Sequence, residues 1–214
     1  MTTVSVLVPF RGDGGWRDRV WNHCRKLWES LPYELVIGHD DNDGPFCIAR
    51  AFNDAATRAT GDVFVLHGAD QLPDRERIEW AVKQALTHRW AALFAATAGY
   101  DQASTNAILN GKAPWEVPLG DSVPFCTGII AIRRDSWIKF DERFIGWGGE
   151  DTAHRMVLES LYGPSPEPTG TLKCLYHPAA PRDHTDANFA LIGEYVTARD
   201  TGTMADLVDR LGLR

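Results

Sequence analysis

Three short runs, each dominated by apolar residues and each broken at its carboxyl end by glycines or acids, constrain this fold more than anything else in the chain. Residues 4–10 (VSVLVPF) stop at Arg11-Gly12-Asp13-Gly14-Gly15, residues 35–38 (LVIG) at His39-Asp40-Asp41-Asn42-Asp43-Gly44, and residues 62–67 (DVFVLH) at Gly68-Ala69-Asp70. A run that is apolar throughout, instead of alternating, suits a strand buried on both faces. Between the runs lie segments of helical period. Residues 16–31 carry Val20, Cys24, Leu27, Trp28 and Leu31 and are closed by Pro32, residues 47–59 (CIARAFNDAATRA) end before Gly61, and residues 74–87 form a third. Further strand-like runs are 91–96, 125–133 (FCTGIIAIR, with Gly128 inside it) and 172–176. Strand and helix in alternation predict an α/β fold, Rossmann-like, with a mostly parallel, doubly wound central sheet flanked by helices in one domain over residues 1–214. Residues 97–123 show no period and read as a long functional loop in which Tyr100, Trp115 and Pro118 form a lid or an acceptor wall. Residues 205–211 read as a packing helix within an acidic tail that starts near Asn188.

In such folds ligands gather beyond the carboxyl ends of the strands, so the loops after the runs are the places to look. Asp70, just past the third run, is placed to hold a metal over a phosphate, the alternative being the cap of a turn before the next helix. The acidic loop 39–44 reads as a solvated turn, because Asp, Asn and Gly are turn formers; the spacing and closing glutamate of a calcium loop are missing. Further along, Gly146-Trp147-Gly148-Gly149-Glu150-Asp151 combines a backbone that bends tightly, one broad aromatic face and two adjacent carboxylates. The helix expected at 152–162, with Met156, Val157 and Leu161 on one side, places both acids at or just before its first turn, where an acid also serves as a cap.

Composition narrows the function classes. A net charge of −7 and a pI near 5.5 argue against a nonspecific grip on nucleic acid or an acidic membrane. Cys24, Cys47, Cys126 and Cys174 form no CxxC pattern, so reduced thiols are expected. No signal peptide is evident and no apolar stretch approaches the roughly 18 residues of a membrane span. A cytoplasmic location is the expectation.

Set in order, these motifs resemble the glycosyltransferases of the GT-A fold, and among them the metal-dependent β-1,4-galactosyltransferase type. Four blocks carry the resemblance: Pro9-Phe10-Arg11, then Ala49-Arg50-Ala51-Phe52-Asn53, then residues 63–73 (VFVLHGADQLP), then Gly128 through Asp151 with its Trp-Gly-Gly-Glu-Asp. Together they are spread over residues 9–151, about two thirds of the chain, and the last is the most specific. The resemblance implies that Pro9, Phe10 and Arg11 contact the nucleotide and that Arg50 approaches the sugar nucleotide. Asp70 would be the metal-binding carboxylate, with Gly68 standing where the family has a first aspartate. The family's remaining metal ligands, a soft sulfur residue and a histidine three positions later, match Cys174 and His177; His184 is a rival for the histidine. Thr152 replaces a third acid that in the family helps to hold the acceptor. The family's members carry a membrane anchor that is not evident here, so the resemblance implies a bacterial or phage-infected host cell.

A carboxylate with an imidazole suits Mn²⁺, with Mg²⁺ as the second choice. Asp151 would act as general base on the attacking hydroxyl and Glu150 would orient donor or acceptor hydroxyls, while Trp147, Gly148 and Gly149 would bound the sugar. One base without a separate nucleophile implies inversion at the anomeric carbon. The expected partners are a nucleotide-sugar donor, UDP-sugar by family likeness, and a protein or glycan hydroxyl as acceptor. Three alternatives remain: a retaining enzyme resembling the polypeptide N-acetylgalactosaminyltransferases, a noncatalytic sugar-nucleotide or carbohydrate-binding protein, and an enzyme acting on modified DNA bases, against which the acidic balance weighs.

Overall fold

The computed structural model describes residues 2–124, 128–179 and 184–214. Strand β1 (Val4–Pro9) leads through helix α1 (Trp16–Glu29) to β2 (Glu34–Gly38), α2 (Ile48–Arg58), β3 (Val63–Leu66) and α3 (Arg75–His88). Then come β4 (Trp90–Ala92), β5 (Ala96–Gly99), α4 (Gln102–Leu109), β6 (Val123–Pro124), β7 (Ile130–Arg133), α5 (Glu150–Tyr162), β8 (Thr171–Cys174), α6 (Thr185–Asp200) and α7 (Met204–Arg210).

The main sheet has the order β2-β1-β3-β7-β4. β1 pairs in parallel with β2 and β3, whereas β7 runs antiparallel to both β3 and β4. Every strand but β7 therefore points the same way, which is the mostly parallel sheet expected, with one strand inserted against the grain. Side chains alternate between two buried faces, which is why the strands are apolar throughout. Leu7, Phe64, Leu66, Ile130 and Ile132 pack with α2, α5, α6 and α7. Val6, Val8, Val63, Val65 and Ala131 pack on the other face, with α1 and α3. Full burial of each such side chain stabilises by roughly 1.5–3 kcal/mol.

Four departures from the sequence reading all fall after α3. The run 91–96 is two strands in two different sheets, since β5 leaves the main sheet and pairs with β6 and β8 in a small three-stranded one. The last strand, expected in the doubly wound sheet, belongs to this small sheet as well. Residues 97–123 are not a featureless loop: they contain part of β5, helix α4 capped by Asp101 on the Ser104 N–H at 2.7 Å, and a short 3₁₀ turn at Pro114–Glu116. Of the run 125–133, Phe125 and Cys126 lie outside the described residues, and the strand begins at Ile130. Among the described residues no helix is long and apolar enough to cross a membrane.

Candidate active site

A cavity of about 850 Å³ opens beyond the carboxyl ends of β1, β3 and β8. Two walls of different chemistry face it. One is built from Asp70 and His177, the other from Trp147, Glu150 and Asp151.

On the first wall, backbone pairing fixes the positions. The turn after β3 is sewn to the end of β8 by Leu72 N–H to the Lys173 carbonyl at 3.0 Å and by Leu175 N–H to the Asp70 carbonyl at 2.7 Å. This brings Asp70 Oδ2 to 3.6 Å from His177 Nε2, although the residues are remote in sequence. His177 Nδ1 lies 2.8 Å from the Pro178 carbonyl, which can only accept, so Nδ1 carries a proton and Nε2 is the nitrogen turned toward Asp70. The Asp70 carboxylate raises the proton affinity of the ring, burial opposing it. Two donors about 2.1 Å from a shared ion sit roughly 3.0–3.5 Å apart, so the pair fits a divalent cation with little movement.

The other metal candidates are placed elsewhere. Cys174 lines the cavity, but its sulfur meets the Thr97 hydroxyl at 3.5 Å. His184 packs against Gly146 on the opposite wall; a β-carbon there would come within 3.2 Å of its ring. Among the described residues no third His, Cys, Asp or Glu joins the Asp70–His177 pair. At Gly68, the position of the missing first acid, the Gln71 side chain fills the space: a β-carbon would lie 2.6 Å from its amide carbon, and its oxygen accepts from Gly68 N–H at 2.6 Å.

On the second wall, Glu150 and Asp151 are the first two residues of α5, inside the helix and not ahead of it. The cap is Gly149 in the left-handed region, φ 102°, where a side chain would be strained and would collide with Phe144. Asp151 Oδ1 accepts from Thr152 N–H at 2.7 Å, and Trp147 stands 46% exposed at the rim. Burial, with the neighbouring Asp151 charge adding to it, pushes the Glu150 carboxyl up to about 7. Gly146 and Trp147 reach the cavity, while Gly148 and Gly149 shape the turn behind them. One residue that sequence reasoning left without a role holds this turn in place. Asn188, buried on α6, donates through Nδ2 to the carbonyls of Ile145 at 3.1 Å, Trp147 at 3.4 Å and Gly148 at 2.8 Å.

The arginines expected at the ligand are tied to a residue read from sequence as a solvated loop acid. Asp40 has a fully buried side chain and takes Arg11 Nη2 at 2.9 Å and Arg50 Nε at 2.8 Å. Burial alone would raise its carboxyl, but hydrogen bonds from Arg50, Asn42 and Cys47 N–H win and hold it well below the usual carboxylate range. Arg11 also donates to the carbonyls of Gly44 and Asn42 and lines the cavity beside Pro9 and Phe10. Arg50 does not line it and serves to brace Asp40. Through the Cys47 thiol, which reaches the Phe144 carbonyl at 3.2 Å, the same cluster touches the approach to the glycine turn. Arg182, which follows His177 in sequence, lies outside the described residues.

Scans of protein-family models and of curated proteins match nothing. Solved structures do match. Glucosyl-3-phosphoglycerate synthase from Mycobacterium tuberculosis, in complex with Mn²⁺ and UDP-glucose, aligns with a TM-score of 0.56 and 16% identity over 92% of this chain and 79% of that one. The same synthase with Mn²⁺, UDP and glucosyl-3-phosphoglycerate gives 0.56 and 15% over 92% and 80%. A Drosophila β-1,4-galactosyltransferase 7 mutant with manganese, UDP-Gal and xylobiose gives 0.52 and 14% over 84% and 68%. At these identities what is shared is the architecture, the GT-A fold.

Proposed function

We propose that this chain is a metal-dependent glycosyltransferase that moves a sugar from a nucleotide-sugar, a UDP-sugar by likeness to its structural neighbours, to an acceptor hydroxyl on a protein or glycan. The observation that carries the reading is the presence, in the lining of one cavity, of a carboxylate–imidazole pair and an acid pair at a helix start. Transfer requires both: a place for the charge that develops on the leaving diphosphate, and a base for the attacking hydroxyl.

Asp70 and His177 would hold Mn²⁺ or Mg²⁺, which when bound bears part of the negative charge of the leaving diphosphate. Pro9, Phe10 and Arg11 bound the nucleotide side of the cavity, with Arg11 aimed by Asp40. With its carboxyl pushed up to about 7, Glu150 is present in both forms near neutrality, and in the protonated form donates a hydrogen bond to a donor or acceptor oxygen, while Asp151 beside it takes the proton of the acceptor hydroxyl. Trp147 offers the sugar ring a flat face. With one base and no separate nucleophile, displacement inverts the anomeric carbon; a product of retained configuration would refute that step.

The test is the melting temperature against UDP-, GDP- and dTDP-sugars, with and without Mn²⁺. An increase that requires both a nucleotide-sugar and the cation supports the reading, since a ligand confined to the folded state stabilises it. Absence of any increase overturns it. The filled space at Gly68 favours a second reading, a sugar-nucleotide-binding protein without transfer. Asp151→Asn decides between them: binding retained with transfer lost supports the enzyme, and no transfer by the unaltered protein on any acceptor supports the binding protein.

A further inference from the structure

Three arginines bear on the cavity or its frame, and two of them, Arg11 and Arg50, are committed to Asp40. The third, Arg17, lines the cavity on the same side as Asp70, Tyr176 and His177. Among the described residues its guanidinium forms no hydrogen bond or ion pair. The carboxylates closest to it in sequence are spent on backbone: Asp18 accepts from Asp13 N–H at 2.8 Å and Gly14 N–H at 2.6 Å, and Asp13 from Gly15 N–H at 2.7 Å.

Its placement is fixed, not incidental. Trp16, one residue earlier, meets Tyr176 edge to face at 5.5 Å, and Arg19 covers Trp16 at 4.6 Å while bonding Asn106 at 3.1 Å. The first turn of α1 is thereby clamped beside His177, at whose ring the Arg17 charge is felt. Asp18, in the same first turn, answers the helix dipole by accepting from backbone N–H groups, which leaves the Arg17 guanidinium at the cavity for a ligand.

We propose that Arg17 binds the diphosphate of the nucleoside diphosphate donor, supplying fixed positive charge on a wall where Gly68 replaces one of the acids expected to hold the cation. The assignment rests on the nucleotide-sugar reading. It means that preference for a diphosphate over a monophosphate persists when the divalent cation is removed, because part of the neutralising charge belongs to the chain. A charge-assisted, two-pronged contact of this kind corresponds to about 10- to 100-fold in affinity.

The experiment is calorimetric titration of UDP, UMP and inorganic pyrophosphate into the full chain in EDTA, and again with Mn²⁺, for wild type, Arg17→Gln and Arg17→Lys. Circular dichroism confirms that each variant is folded. The expected result is a wild type that prefers UDP to UMP by about 10-fold or more in EDTA. Arg17→Gln loses that preference and its pyrophosphate binding while UMP affinity stays within about threefold, and Arg17→Lys recovers only part, because an ammonium lacks the planar fork. Binding of UDP and pyrophosphate that is equal in wild type and Arg17→Gln overturns the assignment and leaves the donor reading standing. A wild type that takes up neither nucleotide nor pyrophosphate, with or without Mn²⁺, overturns both.

Discussion

Replacing Glu150 with glutamine removes a carboxyl that the fold holds in an unfavourable place, and the consequence for stability has a definite sign. Burial and the adjacent Asp151 raise the Glu150 value from an ordinary 4.5 to about 7. The folded state therefore binds this proton more tightly than the unfolded chain does. Below pH ~4.5 both states are protonated and the group costs nothing; as pH rises to ~7 the unfolded chain ionises first and stability falls, and above ~7 the full penalty is in place. At ~1.36 kcal/mol per tenfold the gap is worth at most ~3.4 kcal/mol, and the open cavity reduces this to about 2–3 kcal/mol. Glutamine keeps the shape and carries no charge. Glu150→Gln is thus expected to match wild type near pH 4.5 and to melt roughly 5–10 °C higher at pH 8, given about 2–4 °C per kcal/mol for a chain of this size. Under the proposed function it also loses the carboxyl that orients substrate, so transfer falls while stability rises. Thermal unfolding followed by circular dichroism at the two pH values measures the difference. A gap of equal size at both, or a glutamine variant less stable at pH 8, would refute the reasoning.

Other perturbations follow from the same structure. Asp40→Asn frees Arg11 and Arg50 from their shared acceptor; because both guanidinia are partly exposed and can regain water, the expected loss is about 2–4 kcal/mol, and a change under ~0.5 kcal/mol in a urea titration would contradict the buried hub. Asn188→Asp turns a carboxylate toward carbonyls that now receive Nδ2, so it should cost about 2 kcal/mol and lower kcat more than KM, whereas unchanged turnover would show that the glycine turn needs no brace. His67 and His154 are buried and neutral, burial holding each near 4 against an ordinary 6.5. The unfolded chain takes up these protons first as pH drops, so folding stability is expected to fall between pH ~6.5 and ~4 by up to ~3 kcal/mol per histidine, offset in part by Glu150, and His154→Gln should flatten its share of that slope.

What the sequence made legible was whatever local chemistry enforces. β1, β2, β3 and the helices between them could be read within a residue or two because both faces of the sheet are buried and Pro32, Asp74 and Gly61 punctuate the ends. The split of residues 90–99 between two sheets leaves no local mark, since Leu93 and Phe94 at the break are as buried as β4, which they follow. Helix α4 escaped because the side chains it buries include Ser104 and Thr105, which a hydrophobic period does not see. In the site the same rule holds. The pairing of Asp70 with His177 followed from a motif, whereas the burial of Asp40 depends on arginines 29 and 10 residues away, and the exposure of a charged Arg17 to the cavity depends on Trp16 finding Tyr176.

The hold of Asn188 on the glycine turn also has a meaning in time. A ribosome makes the acids of α5 before it makes the side chain that braces them: Gly148 must wait for a partner 40 residues further along, and Ile145 for one 43 residues further. A growing chain can thus have every strand of its central sheet while its acid pair is still unsupported. Synthesis of the main sheet, whose last strand ends at Arg133, and completion of the acid wall are then separate events in the making of each molecule, and the second comes only with α6.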